Sequence, residues 1–319
     1  MVKRGLGLLF LSATLAASLH SQSRSVAVTV DDMPAVIHGS GTRGTHEAAE
    51  INRKLLAGFQ RHHVPAAGFV NQQGVEADGQ ANPREAILES WLKAGLTLGN
   101  HTFSHLKFSS VSLDEFEKNT SDGERTLAPL LARHGKRLRF FRYPYNDTGG
   151  SREKKSGFEE FLAARGYEIA TCTMEDSDWM FDRVYVNALM AGDSRLAAEV
   201  RSAYMEFAGR AADGYSKMAR EVIGRDFPQV LVIHANHLNA DSIDDLLKVF
   251  EARGYKFVSL EDAQADPAYR APESYVGPHG LMWQQRWALA AGRKTDPRDA
   301  PDPPQWIQDE YGKLSKIGY

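Results

Sequence analysis

The stretch SVAVTVDD, residues 25–32, decides the fold class. Its first six residues are mostly apolar and β-branched, which predicts a short strand that ends at the adjacent carboxylates Asp31 and Asp32. After it, short apolar runs alternate with longer helical patterns, and alternation of this kind predicts parallel strands joined by helices. The predicted strands are residues 25–30, 66–70, 96–99, 139–143, 169–173, 230–234 and 255–259.

Seven or eight strand–helix units can close into a barrel, and 319 residues suffice for one large domain of that kind. The intervals 112–134 and 184–224 are each predicted to be wholly helical. Beyond residue 265 the chain becomes rich in proline, and its tryptophans predict a tail that packs on the body. We therefore expect a barrel domain at residues 24–265 and a C-terminal extension at residues 266–319.

The first 23 residues predict a leader rather than a part of the fold. Lys3 and Arg4 precede an apolar run, residues 5–17, which is shorter than the roughly 20 residues of a membrane-spanning helix. This predicts a signal peptide at residues 1–23 and a periplasmic or extracellular protein without a stable membrane span, although an uncleaved anchor is the alternative. The formal net charge of −3 gives no reason to expect a nucleic-acid partner. The single cysteine, Cys172, predicts a buried apolar side chain.

Polar clusters follow five of the predicted strands. In a parallel barrel, catalytic groups gather at the carboxyl ends of the strands, so these clusters are expected to converge on one rim. His237, three residues after His234, is a further predicted substrate contact. The clusters are Asp31–Asp32, His101 with His105, the run from Arg142 to Tyr145, the run from Asp176 to Trp179, and His234.

One aspartate and two histidines can hold a divalent metal and leave positions open for water and substrate. Adjacent aspartates at a strand end point in different directions, so one can face the ion and the other its water. His101 and His105 are four residues apart, a spacing that places both rings on one face of a helix. No glutamate lies between them, which argues against the zinc-protease pattern His-Glu-x-x-His.

In this order, the five clusters resemble the polysaccharide deacetylases of carbohydrate esterase family four, also called the NodB homology domain. The resemblance covers about residues 25–260. It implies a distorted (β/α)7-type barrel and metal-dependent removal of acetyl groups from an amino-sugar glycan. The matching motifs are TVDD at residues 29–32, HTFSH at 101–105, RYPY at 142–145, DW at 178–179 and VIH at 232–234.

The resemblance also implies a role for each motif residue. Asp31 would be the general base, oriented by Arg142, and the metal ligands would be Asp32, His101 and His105. Zn²⁺ is the expected ion, with Co²⁺ or Ni²⁺ as alternatives. The remaining implied roles belong to Tyr145, whose backbone N–H would bind the oxyanion, to His234 as general acid held by Asp178, and to Trp179 and Val232 as walls of the acetyl pocket.

Two departures from the family pattern bear on the substrate rather than on the metal. Asn146 stands where glycine is common, and Val232 where leucine is more frequent. A chitin oligosaccharide or peptidoglycan is the expected substrate class. The alternatives are an O-acetyl ester or another amide on the same scaffold, and a carbohydrate-binding protein that has lost turnover.

Overall fold

The structure is a computed structural model, and it describes residues 24–277 and 280–315. The predicted signal peptide, residues 1–23, lies outside the described residues. Among the helices that are described, none combines the length and the apolar character that crossing a membrane requires.

Eight short strands form one sheet in which every pair is parallel. The order across the sheet is β5-β4-β3-β2-β1-β7-β6, and β8 pairs with the beginning of β1. Strand β1 therefore lies at the centre, between β2 and β7. The strands are β1 (Ser25–Met33), β2 (Ala67–Val70), β3 (Thr97–Asn100), β4 (Phe140–Phe141), β5 (Glu168–Ile169), β6 (Met174–Glu175), β7 (Gln229–His234) and β8 (Lys256–Phe257).

The two ends of this order, β5 and β6, belong to one stretch of chain that is interrupted only by residues 170–173. On one side, the N–H of Ala170 donates to the carbonyl of Phe141; on the other, the N–H of Thr173 donates to the carbonyl of Val230. The stretch thus joins β4 to β7 and closes the sheet into a ring. Counting it once gives seven strands in the described residues, six in the ring and β8 paired with the start of β1, which confirms the predicted (β/α)7-type barrel.

Helices connect and surround these strands, and two long predicted helices are each interrupted. The predicted helix 112–134 breaks at Gly123, where an added Cβ would lie 2.6 Å from the side-chain oxygen of Asn100. The helices are α1 (Gly41–Arg61), α2 (Gln72–Glu76), α3 (Ala81–Lys93), α4 (Leu113–Asp122), α5 (Glu124–Arg133), α6 (Arg152–Ala164), α7 (Asp178–Met190), α8 (Ser194–Ile223), α9 (His237–Glu251), α10 (Leu260–Gln264), α11 (Trp283–Ala290) and α12 (Gln305–Ser315).

The interval 184–224 is not wholly helical, so that prediction was wrong in its middle. Helix α7 ends at Met190, and Gly192 then adopts a positive φ of 71° that ends the helical path. The carboxylate of Asp193 accepts the backbone N–H of Leu196 and thereby starts α8 as a new helix. Two helices that pack on one another replace the single predicted one.

The C-terminal extension packs on the barrel, as predicted. Trp287 of α11 and both Ile307 and Leu314 of α12 are buried in the same apolar cluster as the barrel strands. Two backbone and side-chain contacts hold the extension at the ring closure: the N–H of Trp283 donates to the carbonyl of Cys172, and the amide of Gln284 donates to the carbonyl of Thr173.

Candidate metal and acid–base site

The Asp31–Asp32 pair lies on an irregular part of β1. The register between β1 and β2 shifts between Val30 and Met33, and Asp32 has a positive φ of 62°. Such a bulge redirects side chains that would otherwise alternate across the strand. Both carboxylates consequently line the same cavity, whereas regular strand geometry predicts that they point in different directions.

Asp32, His101 and His105 come together as one group. One ligand atom from each lies within 4.8 Å of the other two. The Asp32 Oδ1 atom is 3.7 Å from Nε2 of His101 and 3.5 Å from Nε2 of His105. The Nδ1 atom of His101 is 2.9 Å from the carbonyl of Arg142, which accepts its hydrogen and so turns Nε2 toward the carboxylate.

The two histidines are carried by a loop, so the predicted helical face is wrong. Residues 101–107 contain no helix, and both Thr102 and His105 have positive φ values, 69° and 54°. Hydrogen bonds fix the turn: Asn100 Oδ1 accepts the N–H of Thr102, and Thr102 Oγ1 accepts the N–H of His105. The imidazole rings meet edge to face, with centroids 4.8 Å apart.

The charges in this group favour an ionised Asp32 beside a neutral His105 ring. Burial lowers the pKa of His105 to about 4, although the Asp32 carboxylate opposes that effect. Burial raises the pKa of Asp32, but His105, His234 and His101, together with a hydrogen bond from Asn71, outweigh it, so the pKa lies below its usual range. One carboxylate oxygen and two imidazole nitrogens are a donor set that fits a zinc-type divalent ion.

Asp31 lies beside this group and next to a buried arginine. Its Oδ2 atom is 3.8 Å from Nη1 of Arg142 and 3.8 Å from Nε2 of His101. Its Oδ1 atom is buried and has no hydrogen-bond partner in the described part of the chain. Oδ1 is therefore the atom of Asp31 that remains available for a proton.

Arg142 is fully buried, and its contacts fix the orientation of its guanidinium. Nη2 donates to Thr29 Oγ1 over 2.8 Å, and the guanidinium carbon lies 4.7 Å from the ring centre of Phe69. Nη1 contacts both the Asp31 carboxylate and the sulfur of Cys172. The predicted small buried cysteine is thus a neighbour of this arginine.

His234 and Asp178 form a tightly bonded pair at the end of β7. His234 donates to Asp178 from its backbone N–H and from Nδ1, both over 2.7 Å. The side-chain amides of Asn236 and Asn239 also donate to Asp178. Four donors thus stabilise negative charge on this carboxylate, and Nε2 of His234 is left as the ring nitrogen for the cavity.

The pair makes His234 a strong base. Burial lowers its pKa, but the Asp178 carboxylate, the hydrogen bond that it accepts, and the more distant Asp32 and Asp31 raise it to about 10. The imidazole is therefore protonated at neutral pH. His234 is the strand-register partner of Asp31 on the neighbouring β1, so the two side chains belong to adjacent strand ends.

A cavity of about 860 Å³ brings these groups together. Tyr145 lies at its edge, where its ring contacts His105 edge to face with centroids 4.4 Å apart. Arg142 and Asp178 do not line the cavity, but they contact Asp31 and His234, which do. The predicted residues that line it are Asp31, Asp32, His101, His105, Tyr145, Trp179, Val232 and His234.

His237 does not share this position. It is not among the residues that line the cavity, and its Nε2 atom is 2.7 Å from the carboxylate of Glu47 on α1. Its ring stacks on His38, with centroids 6.0 Å apart. The structure therefore places this predicted substrate contact outside the cavity lining, in a hydrogen bond with Glu47.

A part of the chain that contains several residues of this site matches a known protein family. The sequence model of the family described as polysaccharide deacetylase matches residues 19–157, which include Asp31, Asp32, both metal-site histidines and Arg142. This part of the chain is therefore similar to polysaccharide deacetylases. The resemblance drawn from the five motifs is confirmed, and that family consists of hydrolases that act on carbon–nitrogen bonds other than peptide bonds.

The chain is also similar to curated proteins and to solved structures. The peptidoglycan-N-acetylglucosamine deacetylase of Bacillus cereus is 24% identical over 241 residues, which cover 74% of this chain and 66% of that protein, just under two thirds of its length. A family 4 carbohydrate esterase from Streptomyces lividans in complex with acetate is 15% identical over 75% of this chain and 95% of that chain, with a TM-score of 0.48. A CE4 family pseudoenzyme from Bacillus anthracis is 16% identical over 76% of this chain and 66% of that chain, with a TM-score of 0.49.

The sequence analysis missed several residues at or beside this cavity, among them Asn71, Glu175, Met282 and Tyr311. Asn71 follows β2 directly and donates to Asp32 Oδ1 over 2.6 Å, so attention to every strand end would have found it. Glu175 lines the cavity three residues before Asp178, and burial followed by the Asp178 charge raises its pKa to about 7. Met282 and Tyr311 come from the C-terminal extension, and no local sequence signal connects them to the site.

Proposed function

We propose that this chain is an exported, metal-dependent hydrolase that removes N-acetyl groups from an amino-sugar glycan of the chitin-oligosaccharide or peptidoglycan type. One observation carries the proposal: three residues that could hold a metal ion, a buried carboxylate with one oxygen that has no hydrogen-bond partner among the described residues, and a protonated histidine share one cavity. The curated name of the Bacillus cereus relative, a peptidoglycan-N-acetylglucosamine deacetylase, supports the same substrate class.

Asp32, His101 and His105 would hold the metal. When bound, a zinc-type ion supplies an acidified water molecule and polarises the acetyl carbonyl. The second carboxylate, Asp31, keeps its Oδ1 atom unpaired and takes the proton of the attacking water there. Arg142 fixes the orientation of Asp31 from the opposite oxygen, Oδ2, so that the two oxygens have separate tasks.

The sugar amine is a poor leaving group and needs a proton as the carbon–nitrogen bond breaks. His234 supplies that proton from Nε2, because Asp178 holds Nδ1 and keeps the ring protonated. The aromatic Trp179 and the aliphatic Val232 line the same cavity and enclose the acetyl methyl group. The backbone N–H of Tyr145 stabilises the oxyanion, a contribution of about 3 kcal/mol for one such donor.

Export rests on the sequence of residues 1–23, where a basic start, a short apolar core and small residues follow the signal-peptide pattern. A glycan outside the cytoplasm is the substrate that an exported deacetylase would meet.

The test is acetate release from chitotetraose and from peptidoglycan fragments by chelator-treated protein to which Zn²⁺, Co²⁺ or Ni²⁺ is returned. We expect release only after an ion is returned. Asp31→Asn should lower the rate by about 10²- to 10⁴-fold without loss of bound metal, since it removes the base but no ligand. Asp193→Asn, a matched change at an exposed helix cap, should leave the rate unchanged. Full activity of metal-free protein or of Asp31→Asn would refute the proposal.

A further inference from the structure

The C-terminal extension contributes directly to the wall of the catalytic cavity. Gly280, Met282 and Tyr311 line it together with the metal-binding group. The mechanism derived above uses none of these residues. Because they line the cavity but are not among the reacting groups, they would contact a part of the substrate other than its acetyl group.

Helix α12 places Tyr311 in the wall and is itself firmly docked. Ile307 and Leu314, on the same helix, are buried in the main apolar cluster, and the helix packs on α7. Helix α7 begins at Asp178 and carries Trp179 in its first turn. The rings of Tyr311 and Trp179 meet edge to face with centroids 5.3 Å apart. The two aromatic side chains therefore form one continuous piece of the wall.

The extension is also tied to the loop that carries Tyr145. The buried Arg286 donates from Nη2 to the carbonyl of Asn146 and from Nε to the carbonyl of Leu281. Gly280 lies so close to this loop that an added Cβ would be 2.8 Å from the carbonyl oxygen of Tyr145. These contacts set the position of residues 280–282 relative to the catalytic groups.

The chemistry of this part of the cavity suits a sugar ring. Trp179 is 44% exposed and offers an aromatic surface for the apolar C–H face of a pyranose. The carboxyl groups of Glu175 and Asp182 and the ammonium of Lys107 line the same cavity and can bind sugar hydroxyls. A volume of about 860 Å³ also lies in the range of roughly 300–1,000 Å³ that holds whole small molecules rather than a single acetyl group.

We propose that Tyr311, whose ring continues the wall beyond the acetyl-pocket residue Trp179, forms a subsite for the pyranose ring linked to the sugar that is deacetylated. Tyr311 is then a specificity-determining residue supplied by the C-terminal extension. This inference rests on the proposed glycan substrate, but it concerns binding of the chain and not the chemical step.

The experiment measures the dissociation constant of chitotetraose for full-length protein in the Asp31→Asn background, which preserves the ligand. We expect Tyr311→Ala to weaken binding by roughly 3- to 10-fold, the loss of one aromatic contact. Tyr311→Phe should bind as the parent does, because it keeps the ring. Trp306→Ala, an exposed aromatic on the same helix that does not line the cavity, is the matched control.

A second readout separates this inference from the proposed function. With Asp31 intact, Tyr311→Ala should raise KM for chitotetraose by the same factor and affect hydrolysis of 4-nitrophenyl acetate, which has no sugar, far less, whereas Trp306→Ala should leave both rates unchanged. Equal chitotetraose affinity of Tyr311→Ala and its parent, or no measurable affinity in either, would overturn the inference. If the expected affinity changes occur but no protein releases acetate, the subsite stands and the proposed deacetylation fails.

Discussion

Two histidines in the same cavity have opposite acid–base properties at nearly equal exposure. The side chain of His105 is 24% exposed and that of His234 is 23% exposed. Nevertheless, the pKa of His105 falls to about 4, whereas that of His234 rises to about 10. Burial lowers both values, so burial cannot explain the difference.

The carboxylates that face the two rings explain it. His234 has its own partner, Asp178, at hydrogen-bond distance, and further donors hold that carboxylate in place. His105 lies 3.5 Å from Asp32, a carboxylate that also faces His101 and accepts a hydrogen bond from Asn71. A carboxylate that bonds to His234 alone keeps that ring protonated, so it can donate a proton. A carboxylate that several groups share leaves the His105 ring neutral, which suits binding of a metal.

The largest effect is expected from removing His105, the histidine proposed to bind the metal. His105→Ala removes one of the three proposed ligands, so we expect loss of bound metal and of hydrolysis of both amides and esters. The measurement is metal content per chain alongside both rates. His62→Ala, which removes a histidine that pairs with Glu251 at the surface, should change neither. Retention of the metal together with activity would exclude His105 as a ligand.

Removing His234, the proposed general acid, is expected to slow amide hydrolysis more than ester hydrolysis. His234→Ala removes the proton donor but no metal ligand, so the metal should remain bound. Acetate release from an amide should fall by about 10²- to 10⁴-fold, because its amine cannot leave without a proton. Hydrolysis of 4-nitrophenyl acetate, whose leaving group needs none, should change far less. An equal loss on both substrates would remove His234 from the acid role.

The smallest expected effect is a shift of the pH profile, and it tests whether Asp178 raises the pKa of His234. In the native protein, the raised pKa of about 10 keeps His234 protonated in mildly alkaline solution, so we expect the proposed amide hydrolysis to persist there. Asp178→Asn removes the main charge that raises this pKa and leaves burial to lower it. The alkaline limb of the kcat/KM profile should therefore move down by at least about one pH unit.

The control for this profile is Asp193→Asn, whose alkaline limb should coincide with that of the native chain. An unchanged limb in Asp178→Asn would show that this carboxylate does not set the protonation of His234.

Much of the barrel was predictable because its strands are short apolar runs bounded by polar residues. Each of the seven predicted strands has a counterpart, and five polar clusters at strand ends lie where parallel topology brings them. Asp31 and His234, far apart in the chain, were expected at one rim and are register partners on adjacent strands. Periodicity and strand direction were sufficient for these features.

Other features depend on contacts that no local pattern encodes. The spacing of His101 and His105 predicted a helix, but hydrogen bonds to Asn100 and Thr102 stabilise a loop with positive φ angles instead. The bulge at Asp32 depends on how β1 pairs with β2. Tyr311 reaches the cavity only because α12 docks on α7, a long-range packing outcome.

The ring closure has a practical consequence for following the folding of this protein. Cys172, the chain's single cysteine, lies in the interruption between β5 and β6 and is fully buried against Arg142. A thiol reagent can reach its sulfur only when the barrel opens at that seam. The rate of labelling in native buffer therefore reports how often the sheet opens at residues 170–173.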